Sequence, residues 1–320
     1  MNLLILSCGT RNKLVEYFKK SDFDKIVVTD CSTMAPALYT ADAYYIVPRM
    51  TDAHYLERIL QICEQEKISA VLPLQEDELY FIAKNREQFT SRNICPIVSD
   101  SKTIEICRDK VVFADFLAQN LLPVLKTYSS LEEFEQSMLN KEEQFPVFVK
   151  PVRGCGSIGA MKVVNKPLLE ALLGASEEPL LIQHYVRGRE FGADIYTDLI
   201  TGEVTDIFLK EKLRMRAGET EKSVSVKNAE VFELIKRTIS LLQCRGPVDM
   251  DLFEIDGQFF VSEINPRFGG GYPHAYLCGV NFPQYIAANI RGERTSEQVG
   301  HYKEGTYALK YSEVLFREQE

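Results

Sequence analysis

The sequence predicts an α/β protein that opens on a parallel sheet and continues into a mixed region of hairpins and meanders. Three observations predict it. Short apolar, β-branched runs alternate with helical spacing over the first hundred residues, at 3–6, 25–29, 44–47 and 70–74, the pattern of a sheet covered by helices on both faces. From about residue 144 onward, strand-like runs succeed one another across glycine turns, including Thr201-Gly202 and Asp256-Gly257. The chain has 320 residues, 45% of them hydrophobic and 26% charged, which is material for about two domains with real cores.

Each element has its own signal. Leu3-Leu4-Ile5-Leu6 starts the first strand, and Ser7-Cys8-Gly9-Thr10 turns out of it. Leu14, Val15, Tyr17 and Phe18 put a helix over 13–20. Leu56, Ile59, Leu60 and Cys63 give a helix over 54–66, and another spans 76–86. Residues 101–118 read as one helix, closed by a turn at 119–123. Residues 144–151 form a strand ending in Lys150-Pro151, and 161–164 form the next, with a glycine-rich loop between them. Strands come next at 180–183, 190–198 and 203–209, then a helix over 229–242. Residues 248–254 and 258–264 make a hairpin, and the last twenty residues are strand-like with a charged tail.

Charge and targeting signals narrow the class. Thirty-seven Lys and Arg against 46 Asp and Glu leave a net charge of −9, which disfavours nucleic acid or an anionic membrane as the partner. No apolar run reaches the roughly 18–20 residues of a membrane-spanning helix, and residues 1–6 do not make a secretory signal. Eight cysteines form no CxxC pair or zinc spacing, so free thiols and a cytoplasmic location are expected.

The first turn has one glycine, not the GxGxxG of a dinucleotide site, although Asp30 ends the second strand where a ribose-binding acid would sit. The stronger chemistry lies later. Asp251 and Glu263 can face each other across the hairpin turn, and Asn265 shares a face with Glu263. Two carboxylates and an amide oxygen are hard ligands suited to Mg²⁺. Arg267, again in phase, can hold a phosphoryl oxygen bidentately. Gly154, Gly156 and Gly159, in the loop that also holds Ser157, let backbone N–H groups approach phosphate oxygens. Lys150 ends the strand before that loop, and Lys110 is a second candidate cation.

These residues in this order, Asp109-Lys110, the lysine strand, the glycine loop, Gln183-His184-Tyr185-Val186 with Glu190, and Glu263-Ile264-Asn265-Pro266-Arg267, resemble the ATP-grasp superfamily. Within it the chain is most similar to a single-unit relative of the carbamoyl-phosphate synthase large subunit. The resemblance implies a Rossmann-like pre-ATP-grasp domain over 1–100 and a two-lobed α+β ATP-grasp fold over 101–320, with a small lid lobe at 124–185 and a large lobe at 186–320. It implies ATP and Mg²⁺, with Mn²⁺ as an admissible replacement. Lys110, Lys150, Gly154, Gly156, Ser157 and Gly159 would hold the phosphates. Gln183, His184 and Val186 would lie in the adenine hinge, and Glu190 would bind the ribose. Asp251, Glu263 and Asn265 would bind the metal. Arg267, with Lys222 or Arg214, would stabilise the transferring phosphoryl group. The implied reaction is an ADP-forming carboxylate–amine, or carboxylate–nucleophile, ligation through an acyl phosphate. Small-molecule substrates are the expected partners, and symmetry favours a homodimer. One half of a split carbamoyl-phosphate synthase and a non-catalytic ATP-binding subunit are the alternatives. An acceptor pocket would draw on Arg214, Arg216, Tyr272, His274, Asp30 and Gln75.

Overall fold

The computed structural model describes residues 1–317 except Cys155, Ser157 and Ala217. The expected phosphate contact at Ser157 therefore lies outside the described residues. Strands β1 (Asn2–Leu6), β2 (Lys25–Asp30), β3 (Ala43–Ile46), β4 (Ile68–Pro73) and β5 (Cys95–Pro96) form a parallel sheet in the order β3-β2-β1-β4-β5. Successive residues of β1 point to opposite faces, and Leu3, Leu4, Ile5 and Leu6 are all fully buried, as a sheet covered on both sides requires. Leu4 and Leu6 pack with Tyr55, Ile59 and Leu79. Leu3 and Ile5 belong instead to a core shared with Phe208, Phe268, Tyr272 and Phe282 from the second half of the chain. Apolar packing thus joins the first sheet to the C-terminal half of the molecule.

The middle of the chain adds β6 (Thr127–Tyr128), β7 (Val147–Pro151), β8 (Met161–Val163) and β9 (Leu180–His184), an antiparallel sheet in the order β6-β9-β7-β8. Phe134 and Leu169, from the helices Leu131–Leu139 and Lys166–Ala175, cover it with Val147, Val149 and Ile182. The third sheet is the largest. It comprises β10 (Arg189–Thr197), β11 (Val204–Arg216), β12 (Glu219–Val226), β13 (Gly246–Ile255), β14 (Gln258–Asn265) and β15 (Tyr307–Leu309), antiparallel in the order β14-β13-β10-β11-β12-β15.

The two faces of this sheet differ. Phe191, Ala193, Ile195, Ile207, Leu209, Met250 and Leu252 pack against Val231, Ile235 and Ile239 of the helix Ala229–Leu242 and against Phe113 and Leu117. Burial of each large apolar side chain there is worth roughly 1.5–3 kcal/mol. The alternate residues Glu190, Gly192, Asp194, Lys210, Lys212, Asp249 and Asp251 lie on the other face, in register across β10, β11 and β13.

Two stretches depart from the sequence expectation. The helix expected over 101–118 is two helices, Ser101–Arg108 and Lys110–Gln119, broken at Asp109 with φ −107° and ψ 105°. The Asp109 carboxylate accepts from the Val111 and Val112 N–H groups, because a short acid caps a helix start better than it continues a helix. Among the described residues of the last twenty only Tyr307–Leu309 pair as strand, and those from Lys310 onward have no regular structure.

Candidate active site

The hairpin turn sets the site's register. Asp256 and Gly257 both have positive φ, 51° and 81°, which suits a two-residue hairpin turn. Counting outward from Ile255↔Gln258, a regular ladder would pair Asp251 with Ser262. The register instead shifts between Asp251 and Leu252, and Asp251 faces Glu263. This bulge re-aims Glu263 out of the apolar face and toward the polar one. Asn265 Nδ2 sits 3.4 Å from Glu263 Oε1.

Glu263 lies in a partly desolvated place. Burial raises its pKa most, the Lys110 and Lys150 charges oppose that, and Asp251 and Glu76 add to it. Lys150, buried at the end of β7, is pushed the other way. Burial lowers its pKa first, with Lys110 in the same direction, while Glu263 and Asp251 oppose. The lysine strand and the acidic hairpin thus meet electrostatically. Lys110 Nζ donates to the Gly154 carbonyl at 2.6 Å, and its own N–H bonds the Val152 carbonyl at 3.1 Å. The helix break at Asp109 is what starts the second helix beside the glycine loop. Gly154, Gly156 and Gly159 all have positive φ, 115°, 69° and 72°, so each needs glycine for its backbone alone. At the far side the loop meets the β11–β12 turn. A Cβ on Gly218 would lie 2.3 Å from the Gly156 carbonyl oxygen.

Lys212 is a residue that sequence reasoning missed. Its ammonium is 2.9 Å from Glu190 Oε1 and 2.6 Å from Asp251 Oδ1. The two carboxylates hold it well above the usual lysine range despite burial, which acts first and downward. Gly192 makes room for it, since a Cβ there would lie 3.0 Å from Lys212 Cε and 3.2 Å from Lys210 Cε. Lys210 is fully buried and ion-paired to Asp194. The sequence does carry a signal for both lysines: they alternate in β11, in phase with Glu190 across the 201–202 turn. The glutamates and arginines around them hide it.

Arg267 ends the series. It lies 3.2 Å from Glu76 and 3.5 Å from Asp249, and these acids keep its pKa raised against burial, the largest and opposing influence. Glu76 begins the helix Glu76–Lys84 of the first domain, so the domain junction holds this guanidinium. Arg214 and Lys222 are not brought to this cluster. Arg214 is exposed and ion-paired to Glu221 at 2.8 Å. Lys222 lies on the opposite face of β12 from Ser223, which pairs with Lys212.

In the segment expected to be the adenine hinge, Gln183 Nε2 donates to Thr127 Oγ1 at 2.9 Å, His184 Nδ1 is 3.0 Å from Glu143, and the His184 N–H bonds the Lys126 carbonyl at 2.9 Å. Val186 comes after β9, outside any strand. Three expected acceptor residues serve the fold. Asp30 accepts from the Gly9 and Ser32 N–H groups. Tyr272 bonds the Val280 carbonyl and the Phe282 N–H in the core. His274 is buried between Ser223 and the Thr306 carbonyl, and burial lowers its pKa to about 4.

Among the described residues no three Asp, Glu, His or Cys side chains converge as a ready metal cage. Two carboxylates, an amide oxygen and a destabilised charge on Glu263 fit a hard divalent cation that takes its other ligands from phosphate and water. No helix of the described residues is long and apolar enough to cross a membrane, and the seven described cysteines are free thiols.

Comparison with known proteins bears on the family and the fold. A family model described as a PylC-like N-terminal domain matches residues 3–97, and one described as an ATP-grasp domain matches 107–271. The chain is 26% identical over 303 residues to the carbamoyl phosphate synthase large chain of Clostridium beijerinckii, covering 88% of this chain and 27% of that one. It therefore spans about a quarter of the length of such relatives. Among solved structures, the biotin carboxylase domain of Hydrogenobacter thermophilus 2-oxoglutarate carboxylase, bound to MgADP, ADP and bicarbonate, superposes with a TM-score of 0.74 at 18% identity, covering 95% of this chain and 73% of that one. An L-amino acid ligase from Bacillus licheniformis gives a TM-score of 0.70 at 21% identity, covering 92% and 75%.

Proposed function

The chain belongs to the ATP-grasp family, and from that premise we propose that it is an ADP-forming ligase joining a carboxylate to an amine or similar nucleophile through an acyl phosphate. One observation carries the reading: Glu190, Lys212, Asp251 and Glu263 line one face of the large sheet, and of these Glu263 and Asp251 are within electrostatic reach of Lys150, with Lys110 also acting on Glu263. In this reading the 1–100 region is the pre-ATP-grasp domain, and ATP lies between the lobes of 101–320.

Lys110, Lys150 and the loop amides would bind the phosphates, and the 183–186 backbone would meet adenine. Glu190 would accept from the ribose hydroxyls. Asp251, Glu263 and Asn265 would hold Mg²⁺, which would supply positive charge to neutralise the phosphates. Arg267 would counter charge on the transferring phosphoryl group. A carboxylate oxygen attacks the γ-phosphorus and the bond to ADP breaks. The amine then attacks the acyl carbon and phosphate leaves. Among the described residues the site holds cations and oxygen ligands but no activated Ser or Cys nucleophile, which is the equipment for positioning and charge neutralisation. The loop would exclude water while the mixed anhydride waits.

The test is a panel of carboxylate and amine pairs with Mg-ATP. ADP should accumulate with one pair, hydroxylamine should trap a hydroxamate, and oxygen-18 should pass from the labelled carboxylate to phosphate. AMP and pyrophosphate as products, or unlabelled phosphate, contradict the mechanism.

A further inference from the structure

A row of charged side chains crosses the polar face of the large sheet beside Arg267. Asp194 on β10 and Asp249 on β13 are direct partners in their ladder, and Lys210 on β11 lies opposite Gly192, two residues before Asp194. Like charges directly opposed across a ladder destabilise it. Here each acid has its own cation: Lys210 pairs with Asp194, and Arg267 lies 3.5 Å from Asp249. Arg267 reaches on to Glu76 at 3.2 Å. The row also carries the chain that follows Arg267. A Cβ on Gly269 would lie 2.3 Å from Asp249 Oδ1, and one on Gly271 would lie 2.8 Å from Lys210 Nζ. Phe268 and Tyr272, at the two ends of that glycine segment, are buried with ring centroids 4.8 Å apart. The backbone after Arg267 is therefore pinned at both ends and rests on the row between them.

Lys210 and Asp194 are each 1% exposed, so neither can touch a substrate. For stability alone such a pair is a poor device, because two ions must be desolvated and apolar side chains of like volume often hold a fold as well or better. Burial raises the pKa of Asp194 most, the Lys210 charge opposes it, and Asp249 and Asp251 add to it. Without the ammonium, Asp194 has to find another partner. As a carboxylate it draws the Arg267 guanidinium. As a carboxyl it donates its proton to Asp249, its neighbour across the ladder. Either change takes Asp249 and Arg267 from each other. We propose that Lys210 and Asp194 are positioning residues for Arg267: the ammonium occupies Asp194, which leaves Asp249 to the guanidinium and holds the Gly269–Gly271 backbone beside it. This role rests on the ligase reading for what Arg267 does to the transferring phosphoryl group, and it acts through Asp249 alone.

The test separates position from fold. ADP release with the active substrate pair is measured for the parent, for Lys210→Met and for the double variant Asp194→Val/Lys210→Met, with folding checked by circular dichroism, and each protein is crystallised. Lys210→Met should lose about tenfold or more in kcat while its KM for ATP stays within about twofold, since a displaced guanidinium fails the transition state rather than the bound nucleotide. Its crystal structure should show Asp194 hydrogen-bonded to Asp249 or to Arg267. The double variant has no buried carboxyl left to satisfy, so it should recover kcat to within about threefold of the parent, with Arg267 back on Asp249 and Glu76. A folded Lys210→Met with the parent's kcat overturns the proposal, as does a folded double variant as slow as the single one. Should Lys210→Met not fold, Lys210→Gln takes its place: the amide keeps a donor for Asp194 but cannot neutralise it, and the same loss of kcat is expected. If neither folds, the pair serves the fold and the proposal is overturned. A parent that binds no Mg-ADP and releases ADP with no substrate pair would sink the ligase reading itself, while the crystal structures would still decide whether the pair places Arg267.

Discussion

The parallel sheet and the six-stranded sheet both bury carboxylates, and they treat them differently. In the first domain Glu78 is buried to 1% exposure beside two hydroxyls, accepting from Ser7 Oγ at 2.9 Å and from the Tyr55 hydroxyl, with the Asp30 carboxylate as a further neighbour. No cation answers it in any of these contacts, and burial pushes its carboxyl up to about 7. On the large sheet Asp251 and Glu190 share the Lys212 ammonium, and Asp194 has Lys210. A buried acid beside hydroxyls becomes a neutral structural group near neutral pH. On the large sheet the Lys210 charge opposes the upward push that burial gives the Asp194 carboxyl, and a cation beside an acid lets the pair organise another ion. The large sheet is therefore the candidate for charge-dependent chemistry, and the first domain reaches its edge through the contact of Glu76 with Arg267.

Removing the countercharge should break the contrast most sharply. Lys212→Met leaves Glu190 and Asp251 facing each other without their cation. We expect at least a hundredfold loss in kcat/KM, about 3 kcal/mol. Both acids are more than a quarter exposed, so solvent should limit the stability loss to about 2 kcal/mol. Parallel measurement of kcat/KM and the urea midpoint checks this; an activity loss no larger than the stability loss would show that Lys212 only supports the fold.

On the other side of the comparison, Glu78 predicts a pH-dependent stability. Its folded pKa of about 7 exceeds the ordinary 4.5, so between these values the folded state holds a proton that the unfolded state has released. Stability from this group is present below pH 4.5 and is lost as pH rises toward 7, by on the order of 3 kcal/mol. In Glu78→Gln the unfolding free energy should vary less between pH 5 and 7 than in the parent. An unchanged slope in urea titrations at several pH values would remove Glu78 as the cause.

Smaller effects separate two kinds of glycine. Gly269→Ala drives a Cβ into Asp249, which also holds Arg267, and a shift of that guanidinium should cost about tenfold in kcat. Gly154 has open space around its missing Cβ but a φ of 115°. Gly154→Ala should act through backbone strain alone, raising the KM for ATP a few-fold with a stability loss of about 1 kcal/mol. Steady-state kinetics on both variants test the order, and a larger kcat effect at Gly154 would reverse it.

Much of the architecture is legible in the residues. The alternation of β-branched runs shows the parallel sheet, and the Asp256-Gly257 turn places Asp251 near Glu263. The bulge that brings them face to face is not legible, because a strict count from the turn pairs Asp251 with Ser262 and nothing at Ser262 announces an extra residue. Lys212 escapes notice because its function comes from a cross-strand neighbour more than twenty residues earlier, whereas Arg214 and Lys222 draw attention by charge density alone. Tyr272 and His274 look like pocket residues because they come soon after Arg267. Tyr272 instead packs in the core shared with the first sheet, and His274 is buried against Phe208, Ser223 and the Thr306 carbonyl.

The central claim, that the polar face of the six-stranded sheet handles a metal-bound nucleotide, rests most directly on Glu263. The deciding measurement is ADP release with saturating Mg-ATP and the active substrate pair, by the parent and by Glu263→Gln, with the variant's fold verified by circular dichroism and its Mg²⁺ dependence titrated. The account predicts a folded variant with at least a hundredfold lower rate, about 3 kcal/mol, and a higher Mg²⁺ requirement. A folded variant that releases ADP at close to the parent rate, with unchanged Mg²⁺ dependence, would contradict it.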